Sequence, residues 1–437
     1  MSDLRNGEYF DCGEIATADE LRSARWQAVS EVVGAAFDDL PFYKNLWTTH
    51  GFHPSPAVTP DDFARIPLVR KLDLVSASRQ RRSAFSGVEA MLGLNPSNLV
   101  MTSGTSGFHT FAALTGHDLD GAGLLAQARE LWTMKVRPGM RVLSISPAWH
   151  ALGLYETRAL TEIGAIPVMP SGTLTPRFVG DILNAVDQLK PEHLLVTARA
   201  IRMLLEECDR RKLDAREVFR NVRYIGCAGE PLSLPFREHL RDRFELEDVF
   251  ERGGSGDGMF GGAECFAHRG HHVSADVHFV EIVSPMTGEI LGEGERGTAL
   301  VTNLTLGRSV YIRFDTEDVA EIVPGPCPCG RTHPVVEFYG RLADSIVIAD
   351  RVLAPGDVRL ALDDVPATRF LSFAMVSDGA EGLVIGLQGA EELAPGELSE
   401  SATGTATRLG VPVSIVPAGV ETTGWKEARI KRPGGRG

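Results

Sequence analysis

Apolar side chains recur at helical spacing through LRSARWQAVSEVVGAAF (residues 21–37). The stretch 17–50 therefore reads as helix, interrupted by Pro41 before FYKNLW. Residues 51–98 mix turns with short helices, and TPDDFARI carries a Thr or Asp start signal. From 99 to 230 the pattern changes. Short apolar runs (NLVMT, RVLSISP, AIPVMP, HLLVTA, VRYIGCA) alternate with helical stretches such as HDLDGAGLLAQARELWTM and PRFVGDILNAVDQL. That alternation predicts α/β layers with largely parallel strands, because a parallel connection needs a crossover long enough for a helix.

Residues 270–340 read as strands and turns: HFVEIV, GTALVTNL, SVYIRF and VAEIV. After Gly340-Arg341 the composition shifts again. Strands FLSFAMVSD, GLVIGLQ and VPVSIVPA surround one expected helix, PGELSESATGTATRLG, which predicts a small α+β unit. The expected fold class is α/β. A large N-terminal domain spans 1–340, layered with additional β structure, and a small α+β lid spans 341–437.

The chain has 437 residues, 43% of them hydrophobic and 23% charged, as in ordinary globular proteins. A formal net charge of −14 argues against nucleic acid or an anionic membrane as partner. No apolar run approaches the roughly 20 residues that span a bilayer. MSDLRNGEYFDCGE shows no basic-then-apolar signal, so a cytoplasmic location is expected. Six cysteines are too few for a disulfide scaffold in so long a chain.

Several short stretches carry candidate chemistry. VMTSGTSGFHT (100–110) holds small residues, hydroxyls and two glycines. A turn of this kind forms a concavity of backbone N–H donors for an anion. It lacks the lysine of the GxxxxGK[ST] loop, which disfavours a P-loop NTPase. IGCAGEPLS (225–233) places Glu230 in a tight turn after a strand, and RFDTEDVAEI (313–322) places Asp318 beside one. YGRLADSIVI (339–348) brings Arg341 and Asp344 to the change in composition, and GWKEARIKR (424–432) carries Lys426. Singly, each reads equally well as a turn or a solvated charge; their order is what makes the set specific.

That order resembles the adenylate-forming superfamily and, within it, the phenylacetate–CoA ligase family. LPFYKNLW with TPDDFARIPLVRKLDL, then TSGTSG, AGEP, FDTED, CPCGRTH, YGRLADS and GWKEARI fall in the expected sequence. The resemblance implies a mobile lid and ATP-dependent activation of a carboxylate as acyl-AMP. It implies that Thr102, Ser103, Gly104, Thr105, Ser106 and Gly107 grip the β- and γ-phosphates. Ala228, Gly229, Glu230 and Pro231 would flank the adenine, and Asp318 would accept the ribose hydroxyls. Arg341 would lie at ribose and hinge, with Asp344 near the pivot. Lys426, delivered by the lid, would supply with Mg²⁺ the charge that the loop lacks.

Two departures from the family pattern stand out. Phe108-His109 replaces the usual lysine-proline after the second glycine of the loop. In FERGGSGDGMFGG, the aromatic position of the family's aromatic–Gly–x–x–Glu motif falls on Gly253 and the Mg²⁺-holding acid on Asp257, with Glu251 competing. Trp425 also stands where the late lysine motif has glycine.

ECFAHRGHH (264–272) and CPCGRTH (327–333) supply Cys265, a histidine, Cys327 and Cys329. Three thiolates and one imidazole would make a closed structural zinc site. The alternative is a set of reduced buried cysteines. The family's cluster matches His272, with His271 as the fallback. The resemblance also makes SPAWHALGLYETRA (146–159) the lining of the acid pocket. There Trp149, His150 and Tyr155 suit a flat aromatic acid, and His150 or Arg158 could meet its substituent or carboxylate. Helix packing is the plain alternative for Trp149 and Tyr155.

The expected function is an AMP-forming ligase that joins an acid, preferably aromatic, to CoA. Transfer to an amine, a carrier-protein thiol or another small nucleophile is the second reading, raised by the altered loop and by LAPGDV where the family has a glycine-rich stretch. A non-catalytic binding protein is the third. The oligomeric state is open, a homodimer being compatible with the sequence.

Overall fold

The computed structural model describes residues 7–83, 85–89, 98–101, 111–114, 121–146, 151–170, 175, 177–255, 260–306, 309–348, 351–377, 382–418, 422–423 and 426–427. Its first helix, Ala18–Asp39, is capped by Thr17, whose side chain takes the Glu20 N–H while Glu20 reaches back to Thr17. Pro41 ends the helix as expected, because it disfavours the helical conformation in the residue before it. Leu40 turns extended, and Pro41 opens the next helix, Pro41–Thr49, where a missing N–H is harmless.

One sheet of eleven strands forms the body among the described residues. Across it the order is 278–283, 297–303, 314–322, 335–341, 271–273, 260–263, 248–255, 224–228, 193–197, 141–144 and 166–168. The last five are mutually parallel. They are the runs RVLSISP, AIPVMP, HLLVTA and VRYIGCA, followed by Asp248–Ser255. Helices Ala151–Ile163, Val179–Leu189, Ala198–Arg211 and Leu234–Phe244 connect them. The remaining six strands pair antiparallel, and the change of sense falls at Asp248–Ser255. NLVMT is not part of this sheet. Asn98–Met101 pairs with Phe111–Leu114 in a separate hairpin, and the segment 102–110 between them lies outside the described residues.

SVYIRF departs from expectation. It forms no strand; Ser309 makes only an isolated bridge, to Glu89, and Phe314 starts the next strand. Its polar backbone is satisfied by other groups instead. The Tyr43 hydroxyl donates to Val310 O at 2.8 Å and accepts from Ile312 N at 2.9 Å. Asn303 Oδ1 accepts from Tyr311 N at 3.0 Å, and Val88 O accepts from Val310 N at 2.8 Å. An apolar, β-branched run reports burial, and burial without a ladder is open to it when side chains take the backbone bonds.

After Arg341 the chain builds its own core from Ile346, Leu353, Val358, Leu362, Phe373, Ile385 and Leu409. Strands Phe373–Ser377, Leu383–Leu387 and Val413–Pro417 form its sheet, and helix Pro395–Leu409 makes the parallel crossover. A second helix, Pro355–Asp363, corrects the expectation of one. Pro355 sits in its first turn and Asp357 accepts from Ala354 N at 2.9 Å, a start signal that LAPGDV conceals behind its glycine. No described helix is long and apolar enough to cross a membrane.

The Tyr43 hydroxyl is fully buried and serves two backbone groups at once. Tyr43→Phe leaves both without a partner. It should lower unfolding stability by roughly 1–3 kcal/mol in urea titration, the penalty for unsatisfied buried groups. An unchanged midpoint would show that water reaches Val310 and Ile312.

Candidate active site and metal centre

The parallel strands end on one edge of the sheet, where open α/β sheets place their ligands. At that edge Tyr224–Ala228 runs into the turn 229–233. Three contacts hold this turn. Arg202 pairs with Glu230 at 2.6 Å, both side chains largely buried. Glu251 Oε2 accepts from Leu232 N at 2.8 Å. Ser233 caps helix Leu234–Phe244 by accepting from Phe236 N at 3.1 Å and donates its hydroxyl to Asp363 Oδ2 at 2.6 Å. The helix Pro355–Asp363 thus rests on the turn, and Gly356 fits between Pro231 and the backbone of Tyr339.

Two residues beyond Tyr339, Arg341 faces Asp318 across the paired strands. Arg341 Nε lies 3.0 Å from Asp318 Oδ1, and Arg341 Nη1 donates to Thr316 O at 2.9 Å. Glu317, just before Asp318, has φ +59°, a left-handed conformation that a side chain of its kind rarely adopts. Asp315 secures it by accepting Glu317 N at 2.9 Å. Strain of this sort is worth about 1–3 kcal/mol and gathers at ligand sites. Asp344 follows in the short turn Leu342–Asp344, closed by Ser345 Oγ donating to Arg341 O at 2.8 Å. Gly356 therefore lies between Pro231 of the turn and Tyr339, two residues before Arg341 on the same strand.

Other candidates stand apart. Thr102–Gly107, Trp149, His150 and Asp257 lie outside the described residues. Tyr155 is buried in helix Ala151–Ile163, and Arg158 is exposed on it. Lys426 belongs to a two-residue strand that pairs with Thr422–Thr423, separate from the large sheet.

Gly253 has a physical explanation. It pairs with Gly262 inside the sheet, and a Cβ there would lie 2.6 Å from the Phe338 ring. No ring can occupy 253, because Phe338 already covers that face. Glu251 is also committed: one oxygen takes Leu232 N and the other lies 3.4 Å from His271 Nε2. In this arrangement it braces the turn. Sequence reasoning missed the neighbouring cluster entirely. Arg252 is buried between Glu130, at 2.6 Å, and Glu156. Glu156 also accepts from Ser144 and, at 3.1 Å, Ser146, at the start of the segment 146–159. Burial raises the Glu130 carboxyl above its ordinary range against the pull of Arg252. The signal was available: Glu130 lies within Gln127–Thr133, a run whose other six residues are all buried.

Cys265, His272, Cys327 and Cys329 converge, all buried, with their four donor atoms within 4.8 Å of one another. Cys265 Sγ lies 3.5 Å from Cys327 Sγ, and Cys329 Sγ lies 3.2 Å from His272 Nε2. A zinc tetrahedron with metal–ligand bonds of about 2.0–2.3 Å has edges of roughly 3.5–3.8 Å, so the donor set fits that ion. His272 Nδ1 lies 3.3 Å from His333 O, which directs its proton there and frees Nε2. The fallback His271 is excluded. On strand His271–Val273 neighbours point to opposite faces, and His271 turns to Val336 O at 2.9 Å and to Glu251. The N-terminal segment straps this loop. Tyr9 donates to Cys329 O at 2.9 Å, Arg331 donates to Glu14 Oε1 and to Glu8 O, each at 2.6 Å, and Thr332 N donates to Glu14 O at 2.9 Å.

The family model for "AMP-binding enzyme" matches residues 61–306, more than half of the chain. The chain belongs to the AMP-binding enzyme family. This AMP-binding enzyme is 27% identical over 361 residues to the phenylacetate-coenzyme A ligase of Thermus thermophilus, covering 81% of the chain and 77% of that protein. It is 26% identical over 351 residues to the phenylacetate-coenzyme A ligase of Aromatoleum evansii, covering 79% and 76%. Its fold is that of 2-hydroxyisobutyryl-CoA ligase, solved in a postadenylation state with 2-HIB-AMP. The TM-score is 0.85 at 21% identity, covering 98% of this chain and 92% of that one.

Elemental analysis of the purified AMP-binding enzyme should give about one zinc per chain. Stripping the metal should release the loop 327–333 and, with it, the strap 7–15. Limited proteolysis should then cut within the strap before any other site. A metal-free protein with the original cleavage pattern would remove the metal from this cluster.

Proposed function

We propose that this enzyme activates a carboxylic acid with ATP and transfers the acyl group to CoA. A carboxylate oxygen attacks the α-phosphorus, the α–β bridging bond breaks, and pyrophosphate leaves. The CoA thiolate then attacks the acyl carbon, and AMP leaves with the electron pair of the C–O bond. The observation that carries the reading is the Asp318–Arg341 pair at 3.0 Å, on the strand whose Tyr339 packs with Gly356 against Pro231 of the turn, in a chain of the AMP-binding enzyme family and beside a segment at 342–344 suited to a hinge. The relatives' names, phenylacetate-coenzyme A ligase, support an aromatic acid and CoA as partners.

In this reading residues 1–340 bind ATP and acid, and 341–437 form the lid. Thr102–Gly107 hold the β- and γ-phosphates, Asp318 the ribose, and Asp257 the Mg²⁺ that accompanies ATP. Trp149, His150 and Tyr155 line the acid pocket. Zinc at Cys265, His272, Cys327 and Cys329 is structural, since four protein donors leave no open position. In this reading the enzyme works in the cytoplasm, where both ATP and CoA are available to it. Transfer to a non-CoA acceptor is the second reading. LAPGDV, which leads into the helix Pro355–Asp363, supports it, because it stands where the resembled family has a glycine-rich stretch after the hinge.

Pyrophosphate release across aromatic and short aliphatic acids, with CoA or candidate amines, tests both readings. Release with no acid at all would overturn the first step. Asp318→Asn should weaken ATP binding by roughly 1.5–3 kcal/mol, the worth of a hydrogen bond to a charged group. An unchanged affinity would take Asp318 out of the site. Lys426→Ala should slow acyl-AMP formation by about 10²–10³-fold, the usual loss when a charge aimed at the transition state is removed. It should leave thioester formation from preformed acyl-AMP nearly untouched, with Lys431→Ala as control.

A further inference from the structure

Glu251 is one of the buried carboxylates that the proposed reaction does not use. It sits on the strand Asp248–Ser255, in register with Cys227 on the strand that ends in the candidate adenine turn. Its Oε2 reaches forward to Leu232 N at 2.8 Å, one residue past Pro231. Its Oε1 faces His271 Nε2 at 3.4 Å, and the His271 ring is anchored at Nδ1 to Val336 O at 2.9 Å. Its own N–H is held by Glu264 Oε2 at 2.7 Å, and Glu264 pairs with Arg237 at 2.9 Å. The carboxylate is therefore faced from behind by His271, and the backbone of Glu251 is held by Glu264, itself paired with Arg237. The forward oxygen of the carboxylate is spent on the one backbone N–H that sets the exit of the turn.

We propose that Glu251 is a positioning residue for nucleotide binding, and that it acts through the 229–232 turn. The inference rests on the reading that this turn flanks the adenine. The turn is clamped twice: Arg202 holds Glu230 at its middle, and Glu251 holds Leu232 at its end. Without the second clamp a buried N–H loses its acceptor, and the turn relaxes away from the position that receives a flat base. Such a loss acts on ground-state and transition-state binding alike, so it appears in the KM for ATP and spares kcat. A Mg²⁺ ligand would behave differently, because metal charge is used most in the transition state.

Three variants separate these roles. Glu251→Gln keeps an acceptor oxygen for Leu232 N, and its amide can donate to His271 Nε2. It should bind ATP within about threefold of wild type. Glu251→Ala should raise the ATP KM by about tenfold or more, the loss of roughly one good hydrogen bond to a charged group, with kcat changed less than threefold. Should the alanine variant not fold, Glu251→Asp is the second measurement. Its carboxylate is one methylene short of Leu232 N, so it should reproduce the KM effect while keeping the charge. Equilibrium dialysis with ATP reads the same differences without any acid, and zinc content should stay unchanged in all three. If glutamine is as damaging as alanine, with the loss in kcat and a raised Mg²⁺ requirement, Glu251 is a metal ligand and the proposal falls. If alanine binds ATP like wild type, the proposal also falls. A wild-type enzyme that binds ATP but releases no pyrophosphate with any acid would instead overturn the ligase reading and leave the dialysis result standing.

Discussion

The close approach of Gly253-Gly254 to Gly261-Gly262 is the constraint on which the rest of the sheet depends. These residues pair directly where the sheet turns from parallel to antiparallel. A Cβ at Gly254 would lie 2.3 Å from Phe260 O, and one at Gly262 would lie 2.5 Å from His272 O. Only bare backbone fits on both strands, and this lets Phe338 and His271 close over Gly253. Through that contact the parallel half, which carries the turn 228–231, is joined to the antiparallel half, which carries Asp318, Arg341 and His272 of the cysteine–histidine cluster. The same packing removes the space an aromatic side chain at 253 would need.

Buried arginines do the long-range joining. Arg252 ties Glu130 and Glu156 on two helices to the strand end, and Arg237 ties helix Leu234–Phe244 to Glu264. Arg313 ties Glu281 to the backbone of Ala64 and Ile66, and Arg129 ties Asp11 to Asp276. Each is partnered because an unpaired buried charge would cost several kcal/mol. A planar guanidinium with several donors can serve two elements at once, which lysine cannot do with the same geometry. Two of these clusters stand beside the candidate site, so what fixes the fold there also fixes the place of helix Ala151–Ile163 and of the turn.

The loop 327–333 is held differently, by side-chain donors at its core and by the strap at its rim. Glu14 and Arg331, both buried, close the strap on the loop, and the Phe10 ring packs edge-on against Trp132. A loop with so little regular pairing gains order from such cross-links, each of which removes many unfolded conformations at once.

Features that depend on local chemistry and periodicity were legible along the chain. The capping of Ala18–Asp39, the order of apolar runs and helices in the parallel half, and the glycine, carboxylate and cysteine motifs could all be read from neighbours along the chain. Features that depend on a partner far away in the chain emerged only on folding. SVYIRF has the composition of a strand, yet Tyr43, more than 260 residues earlier, takes its backbone bonds. Pro355–Asp363 became a helix that docks on the turn, although its first residues resemble a loop. Adjacent His271 and His272 are equivalent as sequence, and only the pleat of their strand sends one to the cysteines and the other to Glu251. Glu251 shows the limit most plainly: its acidity was visible, but the N–H it would hold was fixed only when strand and turn came together. Periodicity reports which face of an element is buried; it carries no information about which atoms wait on the other side.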